Sequence, residues 1–70
     1  MQRLPVNSSE ISILGYDAKA KLLEVTFRRG GVYHYFDVPQ ETYESFLKAD
    51  SLGTYFSETI DKKYEYKKIS

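Results

Sequence analysis

Three alternating apolar residues, Leu23, Val25 and Phe27, run toward a Gly30-Gly31 pair, and two alternating tyrosines, Tyr33 and Tyr35, follow it. Side chains two apart on a strand share a face, and glycine takes the positive φ values that a tight hairpin demands. The pattern therefore predicts antiparallel strands over residues 22–28 and 32–36. Two registers are open. A two-residue loop puts His34 on the face of Val25 and Phe27 and turns both tyrosines to the other side. A three-residue loop over residues 29–31, closed by a bulged glycine, puts Tyr33 and Tyr35 beside Phe27 and Val25 instead. The bulged register is the expected one: it buries two large rings, leaves His34 in water and turns Phe36 outward.

The rest of the chain builds around that hairpin. Residues 1–10 are polar with a proline at position 5, and read as an extended leading segment. Residues 11–16 read as a strand in which Gly15 signals a bulge or a close backbone approach. Asp37-Val38-Pro39 ends the second hairpin strand, and a helix over residues 40–49 presents Tyr43, Phe46 and Leu47 as an i, i+3, i+4 stripe. Asp50 and Ser51 offer a break and a new N-cap. Leu52, Tyr55, Phe56 and Ile60 then keep helical spacing despite Gly53. Tyr64-Glu65-Tyr66 alternates again and predicts an edge strand guarded by lysines. The expected fold is α+β: a three- to four-stranded antiparallel β-meander with two short helices packed on one face. Its expected core is Leu23, Val25, Phe27, Tyr33, Tyr35, Phe46, Leu47 and Phe56.

At 70 residues this is a single domain near the lower size limit for folding without a metal or crosslink. With no cysteine there is neither a disulfide framework nor a thiolate metal site. No apolar run is long enough to span a membrane, and residues 1–5 do not lead into a signal segment, so the expected compartment is the cytoplasm. Net charge is zero, which argues against indiscriminate binding to polyanions. The charge is nonetheless uneven, at +2 over residues 1–36, −5 over 37–61 and +3 over 62–70. Any anion-seeking face must come from Arg28, Arg29, Lys62, Lys63, Lys67 and Lys68; the plainer reading of these cations is a solvated surface.

The order and spacing of Gly15-Tyr16, Leu23-x-Val25-x-Phe27, Gly30, Tyr33-x-Tyr35, Val38-Pro39, Tyr43, Ala49-x-Ser51-x-Gly53-x-Tyr55-Phe56, Ile60 and Tyr64-x-Tyr66 resemble the KTSC domain across nearly the whole chain. That family is named for its occurrence at the C-terminus of some lysyl-tRNA synthetases, and also occurs as small stand-alone bacterial and phage proteins. The resemblance implies a single domain over residues 1–70, with RNA binding as a suggested activity. The 70 residues depart from the synthetase setting in carrying no catalytic domain, so the module is expected to act alone or with a partner.

The residues themselves support a non-catalytic binding module. Unstacked bases stack on exposed aromatic rings while nearby cations hold the backbone. The candidate nucleic-acid residues are thus Arg28, Arg29, His34, Lys62, Lys63, Tyr64, Tyr66, Lys67 and Lys68, and the expected ligand is weakly held, salt-sensitive single-stranded RNA. The competing expectation is a protein-interaction or assembly module, suggested by an outward Phe36, an edge strand and a core small enough to gain from dimerisation; the expected state is a monomer or weak homodimer. Catalysis lacks a constellation. His34 is the single histidine, with Ser8, Ser9 and Glu24 nearby in sequence or sheet but no motif to fix their geometry. Glu41 and Glu44 serve the start of a helix more simply than a metal, and no cofactor motif is present.

Overall fold

In the computed structural model, which describes residues 1–70, the chain forms five strands and two short helices. The strands are β1 (Gln2–Pro5), β2 (Ile11–Asp17), β3 (Leu22–Phe27), β4 (Val32–Tyr35) and β5 (Tyr66–Lys68). They make one antiparallel sheet in the order β1-β2-β3-β4-β5. The helices are α1 (Gln40–Leu47) and α2 (Leu52–Tyr55), and α2 runs on into a single π-helical turn, Phe56–Ile60.

The sheet has one strand more than the upper expectation. The leading segment is extended, as its composition suggests, but residues 2–5 also pair with β2. Gly15 makes this possible: a Cβ there would lie 2.8 Å from Met1 Sδ and 3.3 Å from Arg3 Cγ, so its absence lets both side chains cross β2. Gly15 is thus a site of close approach, while the bulge in β2 lies between Ile11 and Ile13.

The hairpin does close with a three-residue loop, but over residues 28–30, one position earlier than expected. The Phe27 N–H donates to Gly31 O and the Gly30 N–H to Phe27 O, both at 3.0 Å. Gly30 and Gly31 take φ of 111° and 103°. Val25 consequently faces Tyr33 and Leu23 faces Tyr35, which keeps both tyrosines on the helix side with Phe27. The strand after the helices also begins later than Tyr64, pairing Tyr66, Lys67 and Lys68 with β4.

The core lies between the sheet and the helical segment. Ile11, Leu14, Leu23, Val25, Tyr35, Val38, Phe46 and Ile60 are buried. Burying a branched aliphatic or aromatic side chain contributes roughly 1.5–3 kcal/mol, so this small set carries much of the fold. Phe27, Tyr33 and Phe56 are only half-buried against it, and Leu47 is exposed. Leu47 occupies the margin of the α1 stripe, so the eight-residue helix reaches the sheet chiefly through Phe46. Ser51 caps α2, its Oγ accepting from the Thr54 N–H at 3.3 Å. An Asx turn at Asp17, which accepts from Lys19 N and Ala20 N, shapes the β2–β3 connection.

Candidate ligand-binding cleft

At the hairpin end of the helix-side face the core opens into a cleft of about 380 Å³. Its apolar walls are Phe27, Tyr33, Tyr35, Phe56 and Tyr66. Phe27 meets Tyr33 and Phe56 edge-on, with ring centroids 5.5 and 5.3 Å apart, and Tyr35 meets Phe56 in the same way at 5.5 Å. Tyr66, supplied by the edge strand β5, lies 5.8 Å from Tyr33 and 5.5 Å from Tyr35. Tyr66 is 56% exposed, so the cleft has one wet wall.

Both signs of charge meet at this opening. Arg29 lines it from the hairpin loop. Lys68 stands opposite Tyr33 across the β4–β5 ladder and so shares its face. Glu10 and Asp61 line it too, and Glu10 sits beside the hairpin loop, its carbonyl accepting from the Arg28 N–H at 2.9 Å. Glu10 packs against Gly53 in α2, where any Cβ would collide with its carboxylate. Asp61 is placed by the π turn, its N–H donating to Phe56 O at 2.9 Å, five residues back. In a regular α-helix residue i+5 lies roughly 140° around the axis from residue i, whereas the wider closure brings Asp61 to the side of Phe56 and Ser57.

Tyr35 forms the floor. It is 2% exposed, and no group in the protein bonds its hydroxyl. No fully enclosed side-chain polar atom is left unsatisfied anywhere in the molecule, so this hydroxyl must reach the cleft solvent. Burial raises its pKa above the ordinary phenol value, and the nearby charge of Asp61 and the neighbouring Tyr66 and Tyr33 push the same way. It is therefore a neutral O–H donor at physiological pH.

The opposite face of the sheet carries a different arrangement. Arg3, Gly15, Glu24, His34 and Lys67 form one row across all five strands. Arg3 Nε donates to Glu24 Oε2 at 2.6 Å across the space left by Gly15, and His34 Nε2 lies 2.9 Å from Glu24 Oε1. The Arg3 hydrogen bond holds the Glu24 carboxyl below its usual range, with burial opposing and His34 assisting. His34 is thus not free in water as expected: its side chain is 22% exposed and tied to the nearly buried Glu24.

The expected nucleic-acid residues do not form one surface. Arg28 is a staple, donating from Nε to Ser8 O and from Nη2 to Val6 O. His34 and Lys67 belong to the polar row, away from the cleft. Tyr64 packs against the core with its hydroxyl 3.5 Å from Thr42 Oγ1, and Lys62 and Lys63 are exposed on the turn beyond Asp61. Arg29 and Tyr66 line the cleft, and Lys68 stands beside it, paired with Tyr33 on the same sheet face. The cleft carboxylates Glu10 and Asp61 escape a search for cations. No three His, Asp or Glu side chains converge as a metal site would require.

The sequence model of the KTSC domain family matches residues 7–64, and a crystal structure of a KTSC domain protein from Yersinia pestis superposes with a TM-score of 0.95 at 40% identity, covering 99% of this chain and 97% of that one. The chain belongs to the KTSC domain family. An uncharacterised protein of Stutzerimonas stutzeri is 40% identical over 99% of both chains. A protein of Tsukamurella paurometabola is 33% identical over 86% of this chain and 90% of its own. The matched fold includes β2, β3, β4 and the helical segment, so the aromatic walls contributed by Phe27, Tyr33, Tyr35 and Phe56 lie within the family region, while Tyr66 and Lys68 lie just beyond it. No helix is long and apolar enough to cross a membrane.

Proposed function

We propose that this KTSC domain is a non-catalytic cytoplasmic binding module for single-stranded RNA, in which an unstacked base enters the aromatic cleft and Arg29 and Lys68 hold the adjoining backbone. The observation that carries this reading is the cluster of five rings around one opening, with Arg29 in its lining and Lys68 paired with Tyr33 beside it. Ring faces accept any base, and each stacked base contributes roughly 1–3 kcal/mol. Few phosphates can be met by so small a basic rim, so binding is weak and falls steeply with salt.

Titrating a short fluorescent single-stranded RNA at about 50 mM salt tests it, with micromolar binding expected. Each phosphate contact removed by Arg29→Gln or Lys68→Gln lowers the log–log salt slope by roughly 0.7. Absence of RNA or DNA binding at high micromolar protein would transfer the reading to protein interaction. That second reading draws on the exposed apolar side chains Met1 and Leu4 at one sheet margin and Ile69 at the other.

A further inference from the structure

We propose that the cleft selects guanine, with Asp61 accepting the paired N1–H and N2–H donors of the base while the Tyr35 hydroxyl donates to its O6. The inference rests on the RNA reading above and deepens it to the identity of the base.

Two independent features lead to it. The first is the unbonded hydroxyl of a nearly enclosed Tyr35, which opens onto the cleft solvent. A tyrosine buried only for packing ordinarily gives its hydroxyl a partner, as Tyr16 and Tyr55 do here with the carbonyls of Val38 and Thr42. The raised phenol pKa keeps that hydroxyl a donor. The second is the π turn, which brings Asp61 round to the side of Phe56 and Ser57, with which it lines the cleft. A donor and an acceptor-only carboxylate thus line one opening with ring walls.

That pattern discriminates among bases. Guanine offers two adjacent N–H donors next to an acceptor on its Watson–Crick edge. Adenine and cytosine offer one amino group beside ring acceptors, and uracil offers a single N–H between two carbonyls. A carboxylate can take the guanine pair in a fork, whereas against the other bases it meets a lone pair. Phosphate is excluded from this side by the same charge and is left to Arg29 and Lys68.

The test uses the full chain and U-rich RNA hexamers that carry G, inosine, A, C or U at one position, titrated at about 50 mM salt. The G hexamer should bind about tenfold more tightly than the A, C and U versions, the scale of one good bidentate contact. Inosine, which lacks the N2 amino group, should lose most of that gain. Asp61→Asn and Tyr35→Phe should each abolish the preference for G over U while leaving the melting midpoint unchanged; Asp61 is exposed, and phenylalanine keeps the buried ring. Equal binding of all hexamers by the wild-type protein would overturn guanine selection and leave the RNA reading standing. A preference for G that survives both substitutions would overturn the assignment to Asp61 and Tyr35. Binding to none of the RNAs would overturn both this inference and the reading beneath it.

Discussion

The two ends of the aromatic layer use tyrosine in different ways. At the α1 end, Tyr16 stacks on Tyr43 at 4.8 Å and its hydroxyl donates to Val38 O, while Tyr55 stacks on Phe46 at 5.2 Å and donates to Thr42 O. At the hairpin end, Tyr33, Tyr35 and Tyr66 meet one another at 5.5 to 6.5 Å, and none of their hydroxyls is bonded within the chain. Tyr16 and Tyr55 thus have bonded hydroxyls at one end, where the half-buried Tyr43 is the exception, and none of the three tyrosines at the other end has one. Stability and binding should therefore respond to substitution at opposite ends of the layer.

The largest effect should come from Phe46→Ala at the closed end. Phe46 is fully buried, and losing such a ring costs roughly 3–5 kcal/mol, comparable to the whole stability of a small domain. Chemical denaturation should find this variant largely unfolded. Phe27→Ala, at the half-open cleft, should cost about half as much, because water already reaches part of the ring. Equal losses at the two positions would erase the distinction between the ends.

Next in size is Glu24→Ala on the uncovered face, which removes a charge-assisted hydrogen bond to Arg3 and one to His34 and should cost about 1–3 kcal/mol. Because Arg3 lowers the folded pKa of Glu24 from 4.5, its stabilisation is fully present above about pH 4.5 and is lost as pH falls through the lower folded value. Denaturation followed from pH 7 to pH 2 should show Glu24→Gln with a flatter acid limb than the parent. An unchanged limb would mean that the row contributes nothing to holding β1 on the sheet.

A smaller pair compares the hydroxyls directly. Tyr16→Phe should lose about 1 kcal/mol with its bond to Val38, whereas Tyr35→Phe should change stability by less than about 0.5 kcal/mol because no bond within the protein is broken. Thermal melts of the two variants settle the order, and a costlier Tyr35→Phe would place a hidden partner on that hydroxyl.

The hairpin face was legible from sequence because period-two alternation in Leu23, Val25, Phe27, Tyr33 and Tyr35 survives either three-residue loop position. The loop offset was not, since residues 28–30 and 29–31 both keep the tyrosines beside the same strand face. Strand β1 carries no alternation of its own; its place depends on Gly15 having no side chain, a relation between residues twelve and fourteen apart that no local pattern records. The Glu24–His34 contact likewise needed the register, because cross-strand partners are fixed only once Val25 is known to face Tyr33. Arg29 and Tyr66 at the cleft, and Lys68 beside it, were legible as cation and ring. Asp61 was not, because Leu52, Tyr55, Phe56 and Ile60 fit an ordinary α-helix, and the π closure that turns Asp61 inward has no signature in that spacing.

The central claim is that the open end of the aromatic layer is kept for a ligand and the closed end for the fold. Tyr66→Ala tests it most directly, with RNA titration and thermal melting measured on the same preparation. The account predicts a melting midpoint within a few degrees of the parent, since the ring is more than half exposed, together with a loss of roughly 1–3 kcal/mol in RNA affinity. Unchanged affinity, or an affinity loss that merely follows unfolding, would contradict it.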